Sequence, residues 1–290
     1  MNYLVQNLVF GVFVGSIYGI AAMGLALVFG VMKMLNVAHG ELMMIGGYVS
    51  FWLFRIAGVD PFLSLIISMP VLFLVGVLLN QAVFRHVARL ETEQKIKNSL
   101  LISFGLVLIL QNVAQQLWSA DDRSIETAYS GAGFNIMGIA LPYIRLADLG
   151  MALLAVLGLH LFLTRTYLGK AIRATAEDWE SAILVGVSIR RVFLITLGLS
   201  AALAAIAGTL VAVDYGLSPS IGLQWTLKAL VVVVLAGTGS IFGVFPAGLI
   251  LGVGEALSGV LAGAAYREVF GLLIFLVILV IRPQGLFGRT

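Results

Sequence analysis

Long apolar runs divided by short polar stretches dominate this chain. They lack both the two-residue alternation of a half-buried strand and the single apolar stripe of a water-facing helix. The runs are Leu4–Met32, Phe62–Phe84, Ser99–Trp118, Leu149–Leu163, Val192–Val213, Trp225–Ile241, Val244–Gly263 and Val269–Ile281. Each reads as a membrane helix, because about 20 apolar residues at ~1.5 Å per residue cover a ~30 Å hydrocarbon core. A ninth run, Asn36–Phe54, is harder to place. Only Leu42–Phe54, between Glu41 and Arg55, is free of charge, and it reaches about 20 Å as helix. To span, it must carry Asn36, His39, Gly40 and Glu41 with it. Pro70 is able to kink the Phe62–Phe84 helix, and Gly237–Gly243 reads as a tight turn or a break within the membrane.

Composition supports a lipid environment. The 290 residues are 61% hydrophobic and 11% charged, against about 45–50% and 25% in soluble domains, and mean hydropathy is +1.08. The expected fold is therefore all-α: one polytopic integral membrane helix bundle over residues 1–290, with about 8–10 transmembrane helices. Lys and Arg fix its expected orientation. With the 85–97 loop inside, Lys33, Arg85, Arg89, Lys95, Lys97, Arg165, Lys170, Arg173, Arg190, Arg191, Arg282 and Arg289 are cytoplasmic. Arg55, Arg123, Arg145, Lys228 and Arg267 fall outside or at the outer end of a span. This places the N-terminus outside and the C-terminus inside. The net charge of +3 is mostly this asymmetry and suggests no nucleic acid. No Lys or Arg precedes Lys33, so the first run is not expected to be a cleaved signal peptide. The chain has no Cys, which excludes disulfides and thiolate metal sites.

Small residues indicate how the helices pack. Gly11, Gly15 and Gly19 share one helix face, and Gly239/Gly243, Gly248/Gly252 and Gly259/Gly263 repeat the spacing. Such faces admit close backbone approach, within one bundle or across a dimer. The longest extramembrane segments are Ser119–Asp148, outside, and Thr164–Arg191, inside. In the latter, Thr175 reads as the N-cap of a helix of about ten residues with Glu177 and Asp178 in its first turn. Gly186 is its natural C′ residue, and Ser188 caps the next span. Trp179, Ala182 and Ile183 line one side of this helix. It either packs on its own bundle or the lipid interface, or docks into a groove on a cytoplasmic partner.

Ionisable residues inside a membrane are costly and face a bundle interior or a wet cavity. Two readings of the 36–41 segment stay open. In one, Asn36 caps the second helix while His39 and Glu41 bond to backbone or to neighbouring spans. In the other, Gly40 and its neighbours form a break lining the inner gate. Glu255, near the middle of its span, either pairs within the bundle or contacts substrate. His39 and Glu41 are two residues apart, so they point in different directions and make no metal site. Asp121, Asp122, Asp214 and Lys228 are expected on the outer side. No G-x-x-x-x-G-K-[ST] phosphate loop occurs, so ATP hydrolysis by the usual loop is not expected of this chain and it reads as no enzyme.

The stretches GVMKMLNVAHGELMMIGGYVSFWL, LGKAIRATAEDWESAILVGVSIRRV, AGTGSIFGVFPAGLILGVGEALSG and RPQGLFG together resemble the permease subunits of branched-chain amino acid (Liv-type) ABC transporters, most of all the H-type subunit. The resemblance covers nearly the whole chain. It implies a bacterial inner-membrane permease that moves branched-chain or other small neutral amino acids inward by alternating access. Its implied partners are two ABC ATPase subunits, a second homologous permease and a periplasmic or extracellular solute-binding protein. ATP and Mg would reside on the ATPases, with no cofactor on this chain. The segment 165–191 becomes the coupling region, with Arg173, Glu177, Asp178, Trp179, Ile183 and Gly186 facing an ATPase. At Trp179 the family more often carries Pro or a smaller apolar residue. Relatives that carry urea or short amides are the nearest alternative. A proton-coupled carrier using Glu41, His39 and Glu255 is the alternative of another class.

Overall fold

The computed structural model describes residues 2–88, 92–136, 138–237 and 239–288; Arg89, Thr238 and Arg289 lie outside the described residues. Helices α1 (Asn2–Met32), α2 (His39–Ala57) and α3 (Pro61–Leu79) come first. A π-helical turn, Asn80–Phe84, and the short α4 (Arg85–Val87) extend α3. After α5 (Thr92–Trp118), strands β1 (Gly133–Ile136) and β2 (Ile139–Pro142) form one antiparallel hairpin, pairing Gly133 with Pro142 and Ile136 with Ile139. Next come α6 (Tyr143–Arg165), α7 (Tyr167–Glu177), α8 (Trp179–Leu184) and α9 (Ile189–Asp214). Then α10 (Ile221–Ala236), α11 (Val244–Ala262), a 3₁₀ turn and α12 (Arg267–Ile281) complete the chain.

The expected all-α membrane bundle is what forms. Among the described residues, six helices are long and apolar enough to cross a membrane. The other three expected spans fall on α2, which carries His39, Glu41 and Arg55, on the 16-residue α10 and on the 15-residue α12. Loops gather at two ends. At the hairpin end, Tyr129 Oη donates to Asp60 Oδ2 (2.6 Å), Arg123 and Leu217 bridge through their backbones, and the Gln6 amide both donates to and accepts from Ala140. Burial, and then Asp60, raises the Tyr129 hydroxyl's pKa. At the other, basic end, the Leu35 N–H meets Ser99 and Lys95 lies over the Trp179 ring.

The centre is built from α1, α2, α9, α10 and α11, and small residues set their spacing. A Cβ on Gly15 would lie 2.7 Å from the Leu249 Cα, and one on Gly252 would lie 2.5 Å from the Gly15 Cα. The glycine faces of α1 and α11 therefore pack against each other within the chain, backbone on backbone. Between α2 and α9, Gly46 abuts the Ala205 Cα and Gly208 the Met43 carbonyl, while Ser50 and Thr209 share a hydrogen bond. α10 ends at Gly237, φ +100°, and α11 starts at Val244 with Gly243 as its N-cap. The tail caps that end: the N–H groups of Leu286 and Phe287 donate to the Leu235 and Ala236 carbonyls, both at 2.8 Å. These are last-turn carbonyls that α10 cannot satisfy itself.

Candidate functional site

Between α1 and α2 the chain leaves helical geometry while packed among other helices. Lys33 turns through φ +53°, and residues 33–38 run without helix before α2 starts at His39. The freed backbone groups are met by neighbouring helices. Ser99 and Ser103 of α5 accept the N–H groups of Leu35 and Val37, both at 3.0 Å. Thr226 of α10 donates to the Val37 carbonyl (2.9 Å) and accepts the Gly40 N–H (2.8 Å). Such a break persists only where protein or water satisfies it. Gly40 has no space for a side chain, since a Cβ there would sit 1.8 Å from the Gly222 carbonyl oxygen.

The expected Asn36 cap does not form. The N-cap is Ala38, with no side-chain bond, and the second N–H of the helix, that of Gly40, is already taken by Thr226. Asn36 instead accepts the His39 N–H through its carbonyl, and its buried Oδ1 has no partner among the described residues. His39 is fully buried. Its Nε2 donates to the Ala21 carbonyl (2.9 Å) and its Nδ1 accepts from the Ser200 hydroxyl (3.4 Å). A carbonyl only accepts, so these contacts fix the Nε2–H tautomer and engage both ring nitrogens. Glu41, also fully buried, turns the other way, onto Gly222 in the first turn of α10. Among the described residues neither carboxylate oxygen finds a partner, so the expected bond to a neighbouring span is missing.

Glu255 sits apart from this group. Its Oε1 accepts from Lys228 Nζ at 2.7 Å and its Oε2 from Tyr18 Oη at 2.9 Å, while Glu268 Oε1 stands 3.9 Å from the same ammonium. Lys228 therefore lies in the second turn of α10 with its side chain turned into the bundle, 18% exposed. Burial of Glu255 in lipid-depth packing demands a counter-charge, and Lys228 in the preceding span supplies it. Sequence reasoning missed this pair and Tyr18. The available signal was one Lys and one Glu in consecutive apolar runs. It also missed a cluster at the hairpin end, where Arg145 faces Asp214 at 3.7 Å beside the fully buried Asp148.

Outside the membrane helices, α7 and α8 form an elbow at the basic end. Thr166 caps α7 by accepting the Gly169 N–H, and Asp178 caps α8 by accepting those of Glu180 and Ser181. Thr175 is not the cap expected. It lies buried inside α7 with its hydroxyl donating back to the Ala171 carbonyl, so the break passes to Asp178 and α8 has only six residues. The Ser181 hydroxyl and N–H hold the Asp178 carboxyl below its usual pKa. Gly186 takes φ +85° just past the end of α8, and the Val187 N–H reaches the Ala182 carbonyl. Ser188 stands at the N-cap of α9 without a side-chain cap bond. Ala182 is buried against the bundle, which leaves Trp179, Ile183, Leu184 and Val185 at 47%, 48%, 86% and 78% exposure. Arg173 and Glu177 are exposed on α7.

The whole arrangement matches a known family: residues 7–281 fit the model described as branched-chain amino acid transport system / permease component. The chain belongs to this permease family. Its relatives include the high-affinity branched-chain amino acid transport system permease protein BraD of Pseudomonas aeruginosa, 33% identical over 99% of this chain and 96% of BraD. LivH of Escherichia coli K12, with the same description, is 31% identical over the same shares of each chain. LivM of E. coli K12 is 37% identical over 48% of this chain and 33% of its own length. LivM of Salmonella typhimurium is 30% identical over 94% of this chain and 68% of its own length, so the permease matches the H-type proteins end to end and the longer M-type proteins over part of theirs.

Proposed function

We propose that this permease forms half of the membrane channel of an ATP-binding-cassette importer for branched-chain amino acids. Its basic end faces the cytoplasm and its β-hairpin end faces the solute-binding protein. A homologous M-type permease supplies the other half, and two ATPases, which carry ATP and Mg, bind below. The names of its relatives support branched-chain amino acids over urea or short amides. Against a proton relay, both nitrogens of His39 are already bonded and Glu255 is paired with Lys228.

The observation that carries the proposal is the exposed apolar end of the elbow. Leu184 and Val185 stand almost bare at the end of a capped helix outside the membrane helices, with Trp179 and Ile183 half-exposed beside them and Lys95 over one face of the indole. Exposed aromatic and aliphatic side chains on a rigid short helix suit a groove on a partner. Ala182 and the buried face of α7 tie the elbow to the bundle, so force on the apolar tip reaches α6 and α9 as a rigid-body movement. Closure of the ATPases then rocks the bundle and opens the pathway outward, and their release opens it inward. The break at Lys33–Ala38 is bonded to both α5 and α10, so a movement of either helix is felt there.

Co-expression with the ATPases and the M-type permease, followed by pull-down from detergent, tests this. Wild type retains the ATPases, and Trp179→Asp with Ile183→Asp loses them while still holding the sister permease. Equal retention by the variant would place the docking surface elsewhere.

A further inference from the structure

A second concavity opens at the basic end, apart from the break and from the elbow's apolar tip. It lies between the π-helical turn, α4 and the first turn of α9, holds about 440 Å³, and is lined by Asn80, Arg85, His86, Ile189 and Arg190 among others. Three features there suit an anion. Two guanidinium groups, Arg85 and Arg190, line it, and no acidic residue does among the described residues. The 26-residue α9 begins at its wall, and the Ser188 hydroxyl makes no cap bond, so its first N–H groups have no side-chain acceptor. Finally, Asn80 is 4% exposed, stands on the cavity wall, and its Nδ2 donor has no partner. The π-turn brings it there, a local widening common at functional sites.

We propose that this cavity holds the phosphate of an anionic phospholipid headgroup. It sits where α3 ends and α9 begins, which is headgroup depth for helices that cross the apolar layer. Above it, Leu74 and Leu78 of α3 are 60% and 63% exposed, and Ala82 continues the spacing down to Arg85. An acyl chain lying on that stripe delivers its phosphate to the arginines, which a free phosphate would have to reach unaided. Basic pockets between membrane helices recognise headgroups in this way. The site does not depend on the transported substrate. The orientation proposed above serves only to name the leaflet as the inner one.

Native mass spectrometry of the full chain in detergent, titrated with phosphatidylglycerol and with phosphatidylcholine of identical acyl chains, tests the site. Wild type retains phosphatidylglycerol in preference. Arg85→Gln with Arg190→Gln loses that preference by about fivefold for each arginine removed, whereas Lys97→Gln, which removes a charge elsewhere at the same end, keeps it. Should the double variant not stay monodisperse, the isosteric Asn80→Asp variant carries the test, and its phosphatidylglycerol preference falls. Equal retention of both lipids by wild type overturns the proposal, as does an unchanged preference in Asn80→Asp or in a folded double variant. Displacement of phosphatidylglycerol by millimolar sodium phosphate overturns the lipid in favour of a free anion. A double variant that keeps the lipid but drops the ATPases in the pull-down assigns the cavity to the partner and overturns it too.

Discussion

Glu41 carries a carboxyl group to a place where, among the described residues, it meets no donor, and the fold keeps it there at a cost of at least about 1–3 kcal/mol, more if it is charged. Costs of this kind are retained where function needs them. Glu41→Leu is therefore expected to melt at the same or a higher temperature than wild type, while its uptake of radiolabelled leucine falls well below that of Glu41→Gln. A Leu variant as active as wild type would exclude a role for Glu41 in transport. Glu255 behaves oppositely, because its two oxygens are held by Lys228 and Tyr18. Glu255→Gln or Lys228→Met alone should cost about 3 kcal/mol, the low end for a broken buried pair because Lys228 keeps some exposure. The double variant should cost less than the sum, read from thermal unfolding of all four proteins. Additivity would mean that the pair is not coupled. The sequence marked Glu41 and Glu255 as intramembrane acids but not their surroundings. Whether an acid meets a lysine is decided by which helices are neighbours, and no periodicity along one helix encodes that.

Elements were far more legible than their partners. Lipid requires every spanning helix to be long and apolar, so run length alone located the helices. The shortfall of Leu42–Phe54 pointed to a start upstream for α2, and the helix does begin at His39, which leaves Asn36 outside it. Caps were read less well. Thr175 and Asp178 are both capping types three residues apart, and burial of Thr175 within α7 decided for Asp178. The role of the C-terminal tail was hidden as well, since its backbone bonds to Leu235 and Ala236 use no distinctive side chain. The α1–α11 seam makes the firmest prediction at this scale. Gly15→Ala drives a Cβ against the Leu249 backbone, and Gly252→Ala drives one against that of Gly15, where no flexible side chain can yield. Overpacking of this sort costs about 1–3 kcal/mol. Each variant should lower the melting temperature in detergent, whereas Gly150→Ala, inside α6 with nothing within 4 Å, should leave it unchanged or raise it slightly.

For the whole molecule, the two ends differ in chemistry, with basic side chains at one and the strand pair at the other. The proposed orientation predicts labelling of intact cells by a membrane-impermeant maleimide at Glu126→Cys and not at Lys170→Cys. The native chain has no cysteine to blur the result. The reverse pattern would invert the bundle. The seam between the first helix and α11 also has a bearing on biosynthesis. The glycine face of α1 emerges from the ribosome first, yet the surface it closes on is among the last made. At about 5–20 residues per second, the interval is on the order of tens of seconds. Throughout it the bare stripe is open to any other small-residue helix in the membrane. Newborn copies must be kept apart by the insertion machinery, and a chain cut short before α11 leaves that stripe permanently uncovered, a ready mark for quality-control proteolysis.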